Sequence, residues 1–353
     1  MSFVPGLYRP VLGFPGNLFL APVAGYTDRA FRSICAEQGA DLCFTELVSA
    51  EALVRNPARY GLSPNPETSR SDRGMTFLET AHPLLARGTS EKCHAIQLFG
   101  AEPDTLGMAC RLLAPLRPDL VDLNAGCPVP KVVKNGAGSA LMRNPPRLGR
   151  ALEAMVAASA EKLGGVPVTV KMRSGWDAAS KNYAECARVA VEAGAAMVSL
   201  HPRTRSQMYG GKSDWSLIAD LVTRIPVPVA GSGDLYGPED AKHMFEETGC
   251  AALMFARGAM GNPFIFSAAK SLLTRGSWTP PDPAERLRAG LRHLEALAGD
   301  IGEKAACLEM RKQFCAYTKG VMGLPGIAGG ARLRRQLVHA ETIAQYQKII
   351  QAC

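Results

Sequence analysis

Residues 120–128 of this 353-residue chain have the sequence LVDLNAGCP, and they give the strongest signal of its architecture. The first four residues form a mostly apolar run, which is typical of a short buried β-strand. The turn that follows holds Cys127 between Gly126 and Pro128, so the thiol can project from the end of the strand into a cleft. There it can pass a proton to or from a bound molecule. A buried structural cysteine in a tight turn is the alternative, and the rest of the chain decides between the two.

On both sides of this strand, short apolar runs alternate with longer amphipathic segments. The apolar runs predict eight strands, Leu18–Val23, Leu42–Val48, His94–Phe99, Leu120–Asn124, Val166–Met172, Ala196–His201, Val227–Ala230 and Ala251–Phe255. The other segments predict helices over Asp28–Gln38, Asp104–Ala114, Arg147–Lys162, Tyr183–Glu192, Trp215–Thr223, Pro238–Glu247 and Pro263–Leu273. Eight alternating units predict an α/β fold, the (β/α)₈ TIM barrel. An open doubly wound sheet is the alternative, but its glycine-rich signature is missing after the first strand.

Two proline-rich segments interrupt the pattern. The connection Leu53–Lys92 lacks a clean helix and is expected to be partly a mobile loop. Thr279–Pro283 is expected to be a linker, and helical patterns follow it over Ala284–Ala298, Ala305–Lys319 and Arg332–Ile350. The sequence therefore predicts two domains, a barrel over residues 1–278 and an all-α helical bundle over residues 284–353.

The charge distribution suggests a polyanionic partner. The chain has a net charge of +8, and residues 284–353 contain eleven Lys and Arg against six Asp and Glu. A solvated basic helix face is the alternative explanation. The ten cysteines show no pairing or zinc-binding spacing, and no signal peptide or membrane-length apolar run is present, so we expect a cytoplasmic protein with free thiols, no metal and no membrane partner.

Polar or glycine-rich residues stand at the carboxyl end of every predicted strand, where barrel enzymes place their active sites. They are Ala21–Asp28, Glu46, Gln97, Asn124 and Cys127, Lys171 and Arg173, His201 and Arg203, Ala230–Asp234, and Ala256–Ala259. A single lysine or histidine in such a place is more often a surface charge or a core residue. Eight ends together are hard to explain by packing, and they predict an active site on this face of the barrel.

The last two strand ends predict a phosphorylated cofactor. Gly231–Gly233 and Ala256–Gly258 offer backbone N–H groups to a phosphate, with Arg257 as a charge partner. Lys171 could stabilise the negative charge of a reduced flavin, and Gln97 could hydrogen-bond the same edge of its ring. The sequence therefore predicts flavin mononucleotide (FMN) in the mouth of the barrel.

In order and spacing, these segments resemble the dihydrouridine synthase family over nearly the whole chain. The matching motifs are Ala21–Asp28, Gln97–Gly100, Asn124–Pro128, Gly138–Met142, Lys171–Trp176, His201–Thr204, Gly233–Asp234 and Arg257–Pro263. The segment Met310–Gly320 resembles the bacterial B-type branch. Two departures stand out, because Ser232 replaces the Asn usual in the family and the connection over 57–92 is longer than usual.

The resemblance implies an FMN enzyme that uses NADPH to reduce the 5,6 double bond of uracil in tRNA, giving dihydrouridine. Cys127 would be the general acid that protonates carbon 5 of a base flipped into the pocket. The residues that would hold FMN are Pro22, Val23, Ala24, Gln97, Lys171, His201, Ser232, Gly233, Asp234, Ala256 and Arg257. The residues that would contact RNA are Asn124, Arg173 and Arg203 at the base, and Arg311, Lys312, Arg334 and Arg335 in the helical tail. We expect a monomer.

Other interpretations remain open. An FMN barrel acting on a free pyrimidine, like dihydroorotate dehydrogenase, performs similar chemistry but needs no basic tail. A synthase acting on ribosomal RNA needs the same residues. Cys127, Lys171 and His201 argue against an RNA-binding protein without activity, and an aldolase using Lys171 leaves Cys127 without a role. The sequence does not identify the uridine that is reduced or decide between NADPH and NADH.

Overall fold

Eight parallel strands with intervening helices close into a barrel in the computed structural model, which describes residues 6–62, 82–319 and 330–352. Closure is made by the strand Leu42–Phe44, which pairs with Leu18–Leu20 on one side and with His94–Phe99 on the other. A ninth, two-residue strand, Val48–Ser49, extends the sheet beside the latter. The expected TIM barrel is confirmed.

The elements follow one another in the order that the sequence pattern indicates. The strands are β1 Leu18–Leu20, β2 Leu42–Phe44, β3 Val48–Ser49, β4 His94–Phe99, β5 Leu120–Ala125, β6 Val168–Arg173, β7 Met197–His201, β8 Val229–Ser232 and β9 Ala252–Phe255. The barrel helices are α1 Arg29–Glu37, α2 Ala50–Arg55, α3 Pro103–Leu112, α4 Pro130–Val133, α5 Pro145–Lys162, α6 Tyr183–Glu192, α7 Ser216–Arg224, α8 Pro238–Thr248 and α9 Ile265–Arg275. Four further helices follow, α10 Pro283–Ile301, α11 Glu303–Tyr317, α12 Gly330–His339 and α13 Ile343–Gln351. Short 3₁₀ turns lie at Pro57–Tyr60, Ala114–Leu116 and Gly138–Arg143.

The inside of the barrel changes from apolar to polar toward the carboxyl ends of the strands. Alternate residues of a strand point to the same face, and the inward face holds fully buried Phe19, Phe44 and Leu120. Along β5 the same face continues as Asp122 and Asn124. The barrel therefore has an apolar floor with polar groups above it, and those groups support the mouth.

The second strand is shorter than predicted. The expected strand Leu42–Val48 is interrupted after Phe44, where the hydroxyl of Thr45 accepts the backbone N–H of Gln97 at 3.1 Å. Because a side chain takes the place of a backbone partner, the ladder breaks there, and Leu47 turns into the cavity at the mouth. The sequence pattern could not distinguish this break from a continuous strand.

The connection between β3 and β4 contains more regular structure than expected. It begins with α2 and the 3₁₀ turn Pro57–Tyr60, while residues 63–81 lie outside the described residues. The part after residue 82 packs back onto α1, where Arg32 and Glu91 form an ion pair of 2.8 Å with both side chains fully buried.

The helical pattern over Arg332–Ile350 is divided between two helices, α12 and α13. Thr342 begins the second helix by accepting the backbone N–H of Gln345 with its hydroxyl at 3.3 Å. Threonine at such a position favours a new helix start over continuation of the previous helix.

The helices after residue 283 contact α1 and the loop before it. His293 of α10 is fully buried, stacks on Phe31 and lies 3.0 Å from the carboxylate of Asp28, the N-cap of α1. The Tyr317 hydroxyl lies 3.3 Å from the other ring nitrogen of His293. None of the helices in the described part of the chain has the length and apolar character needed to span a membrane.

Candidate active site

A cavity of about 450 Å³ lies at the carboxyl ends of the barrel strands. This volume is in the range of cofactor and substrate pockets. Most of the predicted site residues line it, namely Pro22, Val23, Ala24, Asn124, Cys127, Lys171, Arg173, His201, Ser232, Gly233, Asp234, Ala256 and Arg257. The fold thus gathers residues from the first strand to the last around one space, as the sequence predicted for this face.

Cys127 borders the cavity and is 9% exposed. Its carbonyl accepts the backbone N–H of Ser139 at 3.0 Å and the hydroxyl of Ser139 at 2.8 Å. Burial raises the pKa of the Cys127 thiol, opposed by the N–H of Val129 and the charges of Arg173 and Lys171. The thiol therefore keeps its proton at neutral pH, which is the state that a general acid needs.

The loop that carries Cys127 is supported from inside the barrel by Asn124. The side-chain oxygen of Asn124 accepts the backbone N–H of Cys127 at 2.8 Å and that of Gly126 at 3.2 Å. Its amide nitrogen donates to Gln97 at 2.8 Å, and the amide nitrogen of Gln97 donates to Asp122 at 2.7 Å. Gln97 is fully buried, with Asp122 and Asn124 as its partners, and it lies below the cavity rather than in its lining.

Two basic groups in the cavity wall differ in charge. Burial lowers the pKa of Lys171 to about 8, so its ammonium group is still largely protonated at neutral pH. Burial, together with the charges of Lys171, Arg173, Arg203 and Arg257, holds the pKa of His201 well below its usual range. The cavity therefore offers a cation at Lys171 and a neutral imidazole at His201.

Asp234 organises the other end of the cavity. Its carboxylate accepts two hydrogen bonds of 2.8 Å from Arg203 and one of 3.0 Å from Arg257. Arg203 is 2% exposed, also donates to the carbonyl of Gly210 at 3.0 Å, and does not line the cavity. The structure therefore places Arg203 behind the residues that line the cavity, where it holds Asp234, and its contact with a base stays a prediction.

The chain passes very close to its neighbours at Gly233. This residue has φ +109°, and a side chain on it would collide with the Ser213 hydroxyl and the His201 ring. Within the described residues, the buried Ser213 hydroxyl has no hydrogen-bond partner. Gly233, His201 and Arg257 line the cavity together, and a glycine turn beside an imidazole and a guanidinium fits a bound phosphate group.

The donor set also fits the ring of a flavin. Lys171 supplies a cation in the middle of the wall, and the small residues Pro22–Ala24 leave room for a flat ring. Ser232, which departs from the Asn usual in the family, lines the cavity but donates its hydroxyl to the carbonyl of Met254 at 3.2 Å. The residues present are therefore compatible with FMN, with Ser232 already engaged by the protein.

Sequence reasoning missed the aromatic part of the wall. Tyr26, Tyr209 and Tyr236 line the cavity, and the last two are 55% and 51% exposed. The guanidinium of Arg257 lies 5.1 Å from the ring centre of Tyr209 and 5.3 Å from that of Tyr236. The available signal was position, since Tyr26 lies within the strand-end motif Ala21–Asp28 and the other two tyrosines follow such motifs by a few residues. Exposed aromatic rings at a cavity mouth can stack on bases.

The basic tail residues lie outside the cavity. Among them, Lys312 contacts a residue of the cavity wall, because its ammonium lies 5.8 Å from the ring centre of Tyr26. Lys312 also forms an ion pair with Glu309. Arg334 donates to the Thr318 hydroxyl at 3.2 Å. Arg335 is exposed and Arg311 is half-buried. These positions leave the tail residues available to the flanks of a large ligand rather than to its reacting group.

Comparison with known proteins places the chain in a family. The family model for dihydrouridine synthase matches residues 19–352. The "Probable tRNA-dihydrouridine synthase" of Treponema pallidum is 44% identical over 357 residues, covering 98% of this chain and 97% of its own length. The "tRNA-dihydrouridine synthase B" of Shewanella oneidensis is 34% identical over 302 residues, covering 85% and 86%. The chain belongs to the dihydrouridine synthase family, and the expected resemblance, including its B-type character, is confirmed.

Solved structures of other proteins share the fold at low sequence identity. A 2-naphthoyl-CoA reductase in complex with 2-naphthoyl-CoA has a TM-score of 0.53 and 11% identity, covering 75% of this chain and 51% of that chain. The histamine dehydrogenase from Rhizobium sp. 4-9 has a TM-score of 0.51 and 13% identity, covering 80% and 49%. This chain therefore spans about half the length of those two proteins, and the likeness shows a shared fold.

Proposed function

We propose that this protein reduces uridines in tRNA to 5,6-dihydrouridine, with FMN as its cofactor and NADPH as the electron donor. The observation that carries the proposal is the buried thiol of Cys127 in the wall of a cavity that also contains Lys171 and the close backbone turn at Gly233. Membership of the dihydrouridine synthase family supports the same activity. We infer that it acts as a monomer in the cytoplasm.

FMN would be held by two ends of the cavity. Gly233, Arg257 and the backbone around Ser232 and Ala256 would bind its phosphate, while Lys171 would face its ring. The bound cofactor would supply a hydride to carbon 6 of the uracil. The ammonium of Lys171 would stabilise negative charge on the neighbouring flavin ring. A half-buried cation acts in a medium less polar than water, so its attraction for that charge is stronger than in solution.

Cys127 would complete the reaction by giving its proton to carbon 5 of the uracil. Its raised pKa keeps the thiol protonated before the proton is transferred to the uracil. After the transfer, the charges of Lys171 and Arg173 would favour the resulting thiolate. Arg173 is fixed by hydrogen bonds to the carbonyls of Gly126, Thr204 and Met208, so it would act from a rigid position.

The tRNA would lie across the cavity mouth and the helical tail. Its target base must leave the stack to enter the cavity, and Tyr209 and Tyr236 offer exposed rings beside that entrance. The two-domain division, with a barrel over 1–278 and an RNA-binding bundle over 284–353, is part of this proposal. Arg334 and Arg335 would bind phosphates in a salt-dependent way.

The proposal is tested with purified FMN-loaded protein, NADPH and an unmodified tRNA transcript, followed by mass spectrometry of the released nucleosides. Parallel reactions contain a ribosomal RNA fragment or free orotate and dihydroorotate. Dihydrouridine in the tRNA, and none with Cys127→Ala in the same time, supports the proposal. Turnover of the free pyrimidine alone supports the dehydrogenase alternative, and product only in ribosomal RNA changes the substrate.

A further inference from the structure

One buried carboxylate has no part in the activity derived so far. Asp122 lies on β5, is fully buried, and stands in register between Gln97 of β4 and Thr169 of β6. Its two oxygens are used separately, since one accepts from Gln97 at 2.7 Å and the other from the Thr169 hydroxyl at 2.5 Å. Burying a carboxylate is costly, so its presence below the active site calls for a physical reason.

An ionised carboxylate can only accept hydrogen bonds, and this property fixes the direction of its neighbours. Gln97 must turn its NH₂ group toward Asp122, which leaves its carbonyl oxygen for the NH₂ group of Asn124. Asn124 must then turn its own oxygen toward the backbone N–H groups of Gly126 and Cys127. The carboxylate at one end of this series demands an NH₂ group, and the backbone N–H groups at the other end demand an oxygen, so both ends require the same direction of the two amides.

We propose that Asp122 is a positioning residue that sets the orientation of the Cys127 loop through the amides of Gln97 and Asn124. The Asp122 carboxylate lies three hydrogen bonds away from the backbone N–H of Cys127. It determines that the N–H groups of the loop face the side-chain oxygen of Asn124 and not its NH₂ group. With the amides reversed, two N–H groups of the loop would face two N–H groups of Asn124 and the loop would move. The positioning role rests on the contacts alone, and its effect on proton transfer rests on the proposed function.

The surroundings of Asp122 agree with this role. Burial raises its pKa to about 6, opposed by the hydrogen bonds from Thr169 and Gln97 and the charge of Lys171. The group is therefore mainly ionised at neutral pH and acts as an acceptor. The same loop is held from outside by Ser139, which fixes the carbonyl of Cys127 but not its N–H.

The first experiment uses the FMN-loaded protein without RNA and follows amide hydrogen exchange at Gly126 and Cys127. Asp122→Asn keeps the shape but allows either amide direction, so exchange at these two amides should rise by about fivefold, the change expected for loss of one net hydrogen bond. Thr169→Val is the matched control, because it removes a hydrogen bond to the same carboxylate outside the amide chain. It should leave exchange at Gly126 and Cys127 unchanged.

The second variant moves the carboxylate from position 122 to position 97, which is the next side chain in the series of hydrogen bonds. In Asp122→Asn with Gln97→Glu, the new carboxylate at position 97 again demands the NH₂ group of Asn124, so protection of the loop should return. The rate at which RNA reoxidises the reduced enzyme should fall in Asp122→Asn and recover in the double variant, with substrate affinity unchanged. The proposal is overturned if exchange at Gly126 and Cys127 is equal in Asp122→Asn and wild type. It is also overturned if Thr169→Val raises that exchange as much as Asp122→Asn does, or if protection does not return in the double variant.

The exchange measurement separates this inference from the proposed function. If wild-type protein forms no dihydrouridine but the exchange pattern appears as expected, the activity is wrong and the positioning role stands. If activity is present and exchange does not respond to Asp122→Asn, the positioning role is wrong and the activity stands.

Discussion

Two aspartates support opposite ends of the same cavity by different physical means. Asp122 is fully buried among uncharged partners, and burial raises its pKa to about 6. Asp234 is partly exposed, and although burial acts in the same direction, hydrogen bonds from Arg203 and Ser213 and the charge of Arg257 hold its pKa below the usual range. The first orients neutral amides and the second neutralises cations.

The two ends of the cavity would have different tasks in the proposed function. In the proposed function, the Cys127 end would deliver a proton at one point, and hydrogen bonds of fixed polarity would give that delivery its direction. The Asp234 end would hold an anionic phosphate, and Arg257, aligned by the carboxylate of Asp234, would provide the positive charge for it. The following experiments test that division, beginning with the largest effect.

Removing the thiol should affect the reaction at one end and leave the other end intact. Cys127→Ala should keep FMN and be reduced by NADPH at a near-normal rate, because Asp234 and Arg257 are untouched. Reoxidation by tRNA should slow by roughly two to four orders of magnitude, the loss expected for a general acid. Rapid-mixing absorbance measurements follow both half-reactions. Cys315→Ala at a partly exposed thiol is the control, and full-speed reoxidation in Cys127→Ala would show that another group supplies the proton.

Neutralising Asp234 should affect the phosphate end. In Asp234→Asn, the buried guanidinium of Arg203 loses its charged partner, and Arg257 is no longer aligned. FMN affinity should fall by at least about tenfold, since breaking a buried ion pair costs a few kcal/mol. Titration of apoprotein with FMN, followed by fluorescence, measures it, with Asp214→Asn at an exposed position of the neighbouring loop as control. Unchanged affinity contradicts the assignment of this end to the phosphate.

The stability difference between wild type and Asp234→Asn should depend on pH. A lowered pKa means that ionised Asp234 stabilises the folded state above the unfolded pKa of about 3.9, and that this contribution is lost as pH falls through the lower folded pKa. The difference in melting temperature between wild type and Asp234→Asn should therefore be constant from neutral pH down to about 5, and should shrink below about 4. A difference that shrinks already near pH 6 contradicts the direction of the shift.

Charge reversal in the tail should weaken RNA binding without affecting either end of the cavity. Arg334→Glu with Arg335→Glu should lower tRNA affinity, and the slope of log affinity against log salt should become shallower by about two, one for each lost phosphate contact. FMN content should not change. Lys162→Glu, at the C-terminal end of α5, is the control. An unchanged salt slope shows that these arginines do not contact phosphates.

A change at Asp122 should alter the stability of the fold by only a few degrees in melting temperature. A raised pKa means that ionisation of Asp122 destabilises the fold increasingly as pH rises from about 4 through 6, by up to roughly 3 kcal/mol. Asp122→Asn should therefore gain thermal stability relative to wild type over this range, by a few degrees. Melting curves at pH 4 and pH 7 measure it, and Asp104→Asn at an exposed position is the control. A variant that becomes relatively less stable toward pH 7 contradicts the shift.

Much of the barrel and of its site could be predicted from the sequence, because strand-end motifs carry both fold and chemistry. Cys127, Lys171 and His201 were placed in the cavity wall by motif and strand alternation alone. Gln97 and Arg203 were expected at the ligand and lie behind the wall, since a sequence does not show which polar groups already have partners. The break after Phe44 and the tyrosine wall depend on packing between distant segments, which periodicity does not report.

The contact between His293 and Asp28 has a consequence for how the protein is made. The loop Val23–Thr27, which precedes Asp28, is among the first parts of the described chain to leave the ribosome, whereas α10 and α11 are among the last. Gln313 of α11 donates to the carbonyl of Gly25 in that loop at 3.3 Å. A growing chain that has completed every barrel strand still lacks these supports, so this wall of the cavity reaches its final form only late in synthesis.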